Sequence, residues 1–241
     1  MFNHLLLQYR KENQLTQNDL AEILAMEHPE LNKLDSVTIS RWETKKTAPS
    51  LKRQFIILEY INKLSIENID LINKNVTNLI EEFVKNKFSN SLSVLSEIEA
   101  GDAPLLVYRN NLQEKTPEIL EEYVHSNKVE TIILKKEDNI EAFLKVIKKH
   151  KSIDIFVLAK TKESFEKMFI ELYDLVFSVN TNIINIYSFD RENYKLLTSL
   201  DFKKVKTGKL SRNLINFTLF QKKRIDFLSN RDILDYYRKY S

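Results

Sequence analysis

Cysteine is absent from this chain, and glycine nearly so: the only glycines are Gly101 and Gly208. Without thiols there are no disulfides and no thiolate metal sites, which fits a reducing cytoplasm. Phosphate-cradling loops need several clustered glycines, so a Walker loop and a dinucleotide fingerprint are both excluded. No apolar run approaches the roughly 18 residues that span a bilayer, so no membrane segment is expected. The opening "HLLLQYRKE" has too short an apolar core for a signal peptide. The histidines, His4, His28, His125 and His150, show no metal-ligand spacing. No metal and no cofactor is expected.

What is present reads as a soluble globular protein, 43% hydrophobic and 29% charged. Its 241 residues exceed the single-domain mode of about 100–150, so two domains are expected. Net charge is only +3, but it is unevenly placed. Between Ser36 and Arg53 stand Arg41, Lys45, Lys46, Lys52 and Arg53, against Glu43 alone. Such a local basic segment is the footprint of a nucleic-acid reader; a solvated helix face is the other reading.

The N-terminal residues carry helical periodicity. Phe2, Leu5, Leu6 and Tyr9 mark a first helix. Thr16, with Asp19 three positions on, caps a second, whose buried stripe is Leu20, Ile23 and Leu24. Pro29 ends it. Asp35 or Ser36 caps a third helix, on which Ile39 and Trp42 share one face while Thr38 and Arg41 share another. It stops near Thr44. After Pro49, Leu51, Phe55, Leu58, Ile61 and Leu64 mark a fourth. From Ser65 to Asn90 apolar residues recur every three or four positions. That predicts one amphipathic helix, or two broken near "NKN", which either dimerises as a coiled coil or packs on its own second domain.

"LTQNDLAEIL" and "SVTISRWETKKTAPS" together resemble the Xre/Cro/CI-type helix-turn-helix. The shared marks are Thr16-Gln17, Leu20-Ala21, Thr38-Ile39-Ser40, Trp42-Glu43 and Pro49. The resemblance implies an all-α DNA-binding domain over residues 1–64, a helical linker over 65–95, and a recognition helix entering the major groove. Ser36, Val37, Thr38 and Arg41 would face base edges, with Ser40 flanking. Arg41 is the strongest specificity candidate, because guanidinium can bridge the O6 and N7 acceptors of guanine. The resemblance places Gln17 on a phosphate. Lys45, Lys46, Lys52 and Arg53 suit phosphates better than bases. Two features depart from the family. The link from Ala25 to Asp35 is longer than its short turn. Lys45 stands where it often has glycine, so a left-handed backbone there would be costly and a different turn is expected.

Beyond "SEIEAGDAP", strands and helices alternate, which predicts a layered α/β domain over 96–241. Expected strands are "LLVYR", "VETIIL", "IDIFVLA", "NIINIYSF" and "LINFTLFQ". Expected helices are "TPEILEEYVHSN", "EDNIEAFLKVIKKH", "KESFEKMFIELYDLVFSV", "RENYKLLTSL" and Ile225 to Tyr240. The span from Val129 to Gln221 resembles a GNAT-type acetyltransferase, which implies a mixed sheet. Leu196, Leu200 and Phe202 match its spacing. But Asp190 replaces an Asn, Leu197 replaces the Tyr that protonates the leaving thiolate, and Asp201 replaces a Gly. The pyrophosphate loop has no glycine, and it has Glu163 and Glu166 close by. These departures predict a domain without acetyl-CoA chemistry, hence no catalytic residues and no enzyme.

The expected function is a cytoplasmic transcription regulator, a homodimer on a two-fold operator in double-stranded DNA. Its second domain would sense a small molecule, mediate assembly or bind a protein. The alternatives are an acyltransferase fused to a DNA-binding domain, and an antitoxin or phage-type repressor with a protein partner.

Overall fold

A computed structural model describes residues 1–69, 78–89, 106–110, 129–136, 139–209 and 216–241. The chain divides into two units. An N-terminal helical unit comprises Met1–Val76 with Leu228–Arg231, and a sheet unit comprises Thr77–Phe227 with Asp232–Ser241.

The N-terminal unit holds α1 (Phe2–Glu12), α2 (Gln17–Glu27), α3 (Ser36–Glu43) and α4 (Leu51–Tyr60). The starts of α2, α3 and α4 are set by side-chain caps. Thr16 and Asp19 form the expected capping box on α2, Asp35 caps α3, and Ser50 caps α4. Leu6, Leu20, Leu24, Leu31, Ile39, Phe55 and Leu58 are buried in its core. Helix α4 ends at Tyr60, and Asn62 takes a left-handed φ of 54°, so the helix stops short of Leu64. Residues Ile66–Asn68 then form a 3-10 turn, and a new helix, α5, spans Leu79–Ser89. A continuous helix from Ser65 is therefore not formed. The "NKN" break lies outside the described residues, as does "TPEILEEYVHSN".

The sheet unit is built on a seven-stranded mixed sheet in the order β1-β2-β3-β4-β5-β7-β6. The strands are β1 (Leu106–Asn110), β2 (Val129–Lys136), β3 (Asn139–Lys148), β4 (Ser152–Ala159), β5 (Ile183–Ser188), β6 (Lys203–Lys209) and β7 (Asn216–Lys223). Among the described residues only β4 and β5 pair in parallel, joined by the long crossover helix α6 (Lys162–Ser178); every other pairing is antiparallel. Helices α7 (Arg191–Ser199), α8 (Arg224–Leu228) and α9 (Arg231–Tyr240) complete the chain.

One expected helix, "EDNIEAFLKVIKKH", is the strand β3. It pairs with β2 along one side and β4 along the other, and Ala142, Leu144, Val146 and Ile147 are all buried. Burial on both faces blurs the two-residue alternation that marks a strand. Helix α6 packs across β3 and β4, bringing buried Met168, Leu172, Tyr173 and Val176 to the core. Tyr173 stacks on Tyr237 at 4.2 Å, and Phe169 meets Tyr236 edge-on at 4.9 Å. A second cluster joins Ile147, Phe156, Tyr187, Phe217 and Leu219. Phe217 also lies over Gly208, where an added Cβ would stand 2.7 Å from its ring. Gly208→Ala should therefore destabilise the sheet unit by about 1–3 kcal/mol, the usual cost of overpacking a ring that neighbours hold in place. Urea unfolding checks this, and an unchanged midpoint would show that the ring swings aside.

Buried Lys222 sits on β7. Its ammonium donates to the Leu200 carbonyl at the end of α7 and lies 5.3 Å from the Phe202 ring centre. Burial lowers its pKa below 10.5, and Asp201 and Asp226 partly restore it. The folded state thus releases this proton before the unfolded chain does, so stability from this site rises as pH climbs toward 10.5. Buried Tyr173 and Tyr236 act oppositely. Burial raises their pKa values, so stability falls once unfolded tyrosine ionises above about 10. Lys222→Met should remove the rise below pH 10 and keep the fall above it. Melting temperatures of both proteins across that range decide it; parallel curves would refute the assignment.

Candidate nucleic-acid interface

Helix α3 presents two unlike faces. Asp35 accepts from the Thr38 amide at 2.7 Å, which fixes the first turn. The Thr38 side-chain hydrogen bond first, then this amide bond and the Arg41 charge, hold the Asp35 carboxyl below its ordinary pKa. Ile39 and Trp42 are buried, and Trp42 meets Phe2 edge-on at 6.4 Å. On the opposite side Val37 is 54% exposed and Arg41 is exposed too. Ser36, Thr38 and Ser40 are half-buried along the flanks. The long link before α3 is folded rather than loose. Pro29–Leu31 form a 3-10 turn, and Leu31 is buried.

Gln17 and the basic residues occupy different settings. The Gln17 amide donates to Glu43 Oε2 at 2.7 Å. Lys45 and Lys46 are exposed beside a groove of about 400 Å³, whose walls include Phe2, Asn3, Trp42 and Pro49. Lys52 is paired with Glu30 at 2.6 Å. Arg53 is half-buried in the first turn of α4. The turn after α3 does not differ from the glycine type. Lys45 itself takes φ 59°, and the Lys46 amide closes on the Arg41 carbonyl at 2.9 Å. Those closing bonds offset a left-handed penalty of roughly 1–2 kcal/mol.

Glu43 is the organising residue that sequence reasoning passed over. Its side chain, 4% exposed, receives Arg10 Nε at 2.6 Å and Arg10 Nη2 at 3.0 Å, besides Gln17. Arg10 also donates to the Leu15 carbonyl at 3.0 Å, which ties the α1–α2 turn into the network. Asn3 donates to the Glu43 carbonyl. One carboxylate thus fastens α1, the start of α2 and the end of α3. The only local signal was an acidic residue directly after a buried tryptophan, with no partner in sequence reach.

In the sheet unit, Asp190 caps α7 by accepting from the Asn193 amide at 2.6 Å, doing what an Asn would do there. Asp201, at the glycine position, takes φ 59°. Leu197, at the tyrosine position, is buried. The start of α6 is closed on itself. Thr161 and Ser164 exchange backbone and side-chain bonds, and Ser164 Oγ also reaches the Glu141 carbonyl. Glu163 and Glu166 turn to Lys167 and Lys162 of the same helix. Strand β4 runs on to Ala159, but its pairing with β5 stops at Phe156 and Tyr187. Beyond that pair, Val157 and Leu158 pair with β3 alone among the described residues, and Leu158 is 41% exposed. Among the described residues no His, Cys, Asp or Glu cluster could hold a metal, and no helix is long and apolar enough to cross a membrane.

No family model and no curated protein matches this chain. Solved structures do match over its sheet half. The Bacillus subtilis acetyltransferase in complex with CoA aligns at 12% identity and TM-score 0.36, covering 50% of this chain and 99% of its own. The ribosomal-protein-S5-alanine acetyltransferase from Vibrio fischeri aligns at 15% identity and TM-score 0.33, covering 44% and 65%. The expectation that the chain is not an enzyme is withdrawn, since the structures it matches are acetyltransferases and one was solved with CoA.

Proposed function

We propose that this chain is a sequence-specific DNA-binding protein, a transcription regulator of the Xre-type helix-turn-helix class. One observation carries the reading: a single capped helix buries Ile39 and Trp42 and leaves Val37 and Arg41 open on its other side. A recognition helix needs that division, with one face for its scaffold and one for the major groove. Two copies would read a two-fold operator, with Ser36, Val37, Thr38 and Arg41 on base edges. Lys45, Lys46 and Arg53 serve as phosphate partners. Lys52 would first have to leave Glu30, and Gln17 could take a phosphate only while remaining bonded to Glu43.

The test is fluorescence anisotropy of the whole protein on DNA from its own upstream region, against a scrambled duplex, at low and high salt. Selective binding that weakens with salt is expected. Equal binding to both duplexes at every salt concentration would refute sequence-specific reading of that region.

A second reading concerns the sheet unit alone and is favoured by the end of β4, which runs on to Ala159 past its pairing with β5. There an extended thioester cofactor could lie against the free side of β4, making the unit an acyltransferase tethered to DNA. The self-capped start of α6 and the buried Leu197 mean that the phosphate cradle and the proton donor would have to come from other residues. Calorimetric titration with acetyl-CoA decides it. Saturable binding establishes the reading, and a flat titration removes it.

A further inference from the structure

Among the described residues strand β6 is an edge strand, hydrogen-bonded to β7 alone. Its sequence "KKVKTGK" carries Lys203, Lys204, Lys206 and Lys209 and no acidic residue. All four lysines are exposed. None of the ion pairs among the described residues takes one of these ammonium groups. The register jumps between Lys204 and Lys206, opposite Phe220 and Leu219, so Val205 is a bulge. Without it Lys204 and Lys206 would lie on the same face; with it they lie on opposite faces. Two of the cations are steered by rings. Lys204 Nζ stands 5.8 Å from the Tyr194 centre, and Lys206 Nζ stands 5.9 Å from the Phe217 centre.

An edge strand needs some device against pairing with another chain, and a bulge or a single lysine suffices. Here the bulge is present and four lysines are added to it. The excess is what a polyanion would use. At about 3.3 Å per residue the strand is roughly 20 Å long, which matches the axial rise of about six nucleotides of one DNA strand. Lys203 and Lys206 on one face and Lys204 and Lys209 on the other flank this edge, and with no acidic neighbour in the strand they are complementary to a phosphate backbone, to which flexible ammonium groups bind as point charges.

We propose that the β6 edge is a second, sequence-independent contact surface for the backbone of double-stranded DNA. It rests on the DNA-binding reading of the N-terminal unit only for the identity of the polyanion. Its contribution is affinity through counterion release, not selectivity.

The test compares the full-length protein with a K203Q/K204Q/K206Q/K209Q variant and with Arg41→Ala, on a scrambled fluorescein-labelled duplex and on the upstream duplex. Salt runs from about 50 to about 250 mM, where each phosphate contact adds about 0.9 to the slope of log affinity against log salt. For the glutamine variant the slope should become shallower by about 3.6 on both duplexes, with affinity at low salt lower by at least about 10-fold. The matching lysine-to-arginine variant should keep the wild-type slope. If the glutamine variant does not stay soluble, Lys204→Gln and Lys206→Gln singly should each lower the slope by about 0.9.

An unchanged slope beside lost selectivity in Arg41→Ala overturns this surface and leaves the recognition helix standing. A flattened slope in a protein that never prefers the upstream duplex upholds the surface and removes the helix reading. No binding by the wild type at low salt ends both.

Discussion

Glu43→Ala should destabilise the N-terminal unit by about 2–4 kcal/mol, read as a lower urea midpoint for its transition. The carboxylate is nearly sealed from solvent, whereas the Arg10 side chain remains 17% exposed. Removing Glu43 strands a guanidinium that had two charge-assisted bonds and an amide that had one. The partial exposure of Arg10 keeps the estimate below the full cost of a deeply buried orphan charge. The Glu43 hydrogen bond raises the Arg10 pKa, so the pairing favours the charged guanidinium. Replacing both partners, as in Arg10→Met with Glu43→Leu, should recover much of the loss, because no charge is then left unpaired. A full double-mutant cycle separates the pair from its neighbours. A cost below about 0.5 kcal/mol, the usual range of a surface substitution, would show that the network is solvated in practice and does not fasten the helices.

That network shows where sequence reasoning stops. Caps are local, so Thr16 with Asp19 and the start of α3 were legible from spacings of three residues. The division of α3 into a buried and an open face was legible from the same periodicity. The Arg10–Glu43 pair spans 33 residues, and nothing in either neighbourhood announces the other. Strand β3 failed for a different reason. Ile140, Phe143, Leu144 and Ile147 fit a helical stripe, while Ile140, Ala142, Leu144 and Val146 fit a strand. Its pairing with β2 and β4, which a single segment cannot reveal, decides between them. The glycine position occupied by Lys45 misled, and the one occupied by Asp201 behaves the same way. Both residues accept a left-handed φ because the chain beyond each helix end closes it with hydrogen bonds. An expected cost is a reason to look for its compensation, and here the compensation keeps the turn.

Arg41→Ala should weaken binding to the preferred duplex by roughly 5- to 150-fold, about 1–3 kcal/mol, and leave scrambled-duplex binding nearly unchanged. The asymmetry is the point of the experiment. Arg41 is exposed on α3, one turn beyond Val37, and takes part in no ion pair among the described residues. Its truncation therefore costs the fold little, and a melting temperature near wild type is expected. If the guanidinium met a phosphate, truncating it would lower affinity for every duplex alike and flatten the salt slope by about 1. If it meets a base edge, truncation lowers affinity only for the duplex that carries the right base, with the slope intact. Arg41→Lys separates the two further. An ammonium keeps the charge but cannot hold two acceptors in the plane of a base edge, so selectivity should fall while scrambled-duplex affinity stays. If Arg41→Lys matches the wild type on both duplexes, the guanidinium serves only as a point charge. Specificity would then belong to Ser36, Val37 and Thr38, the remaining side chains on the open side and flanks of the same helix.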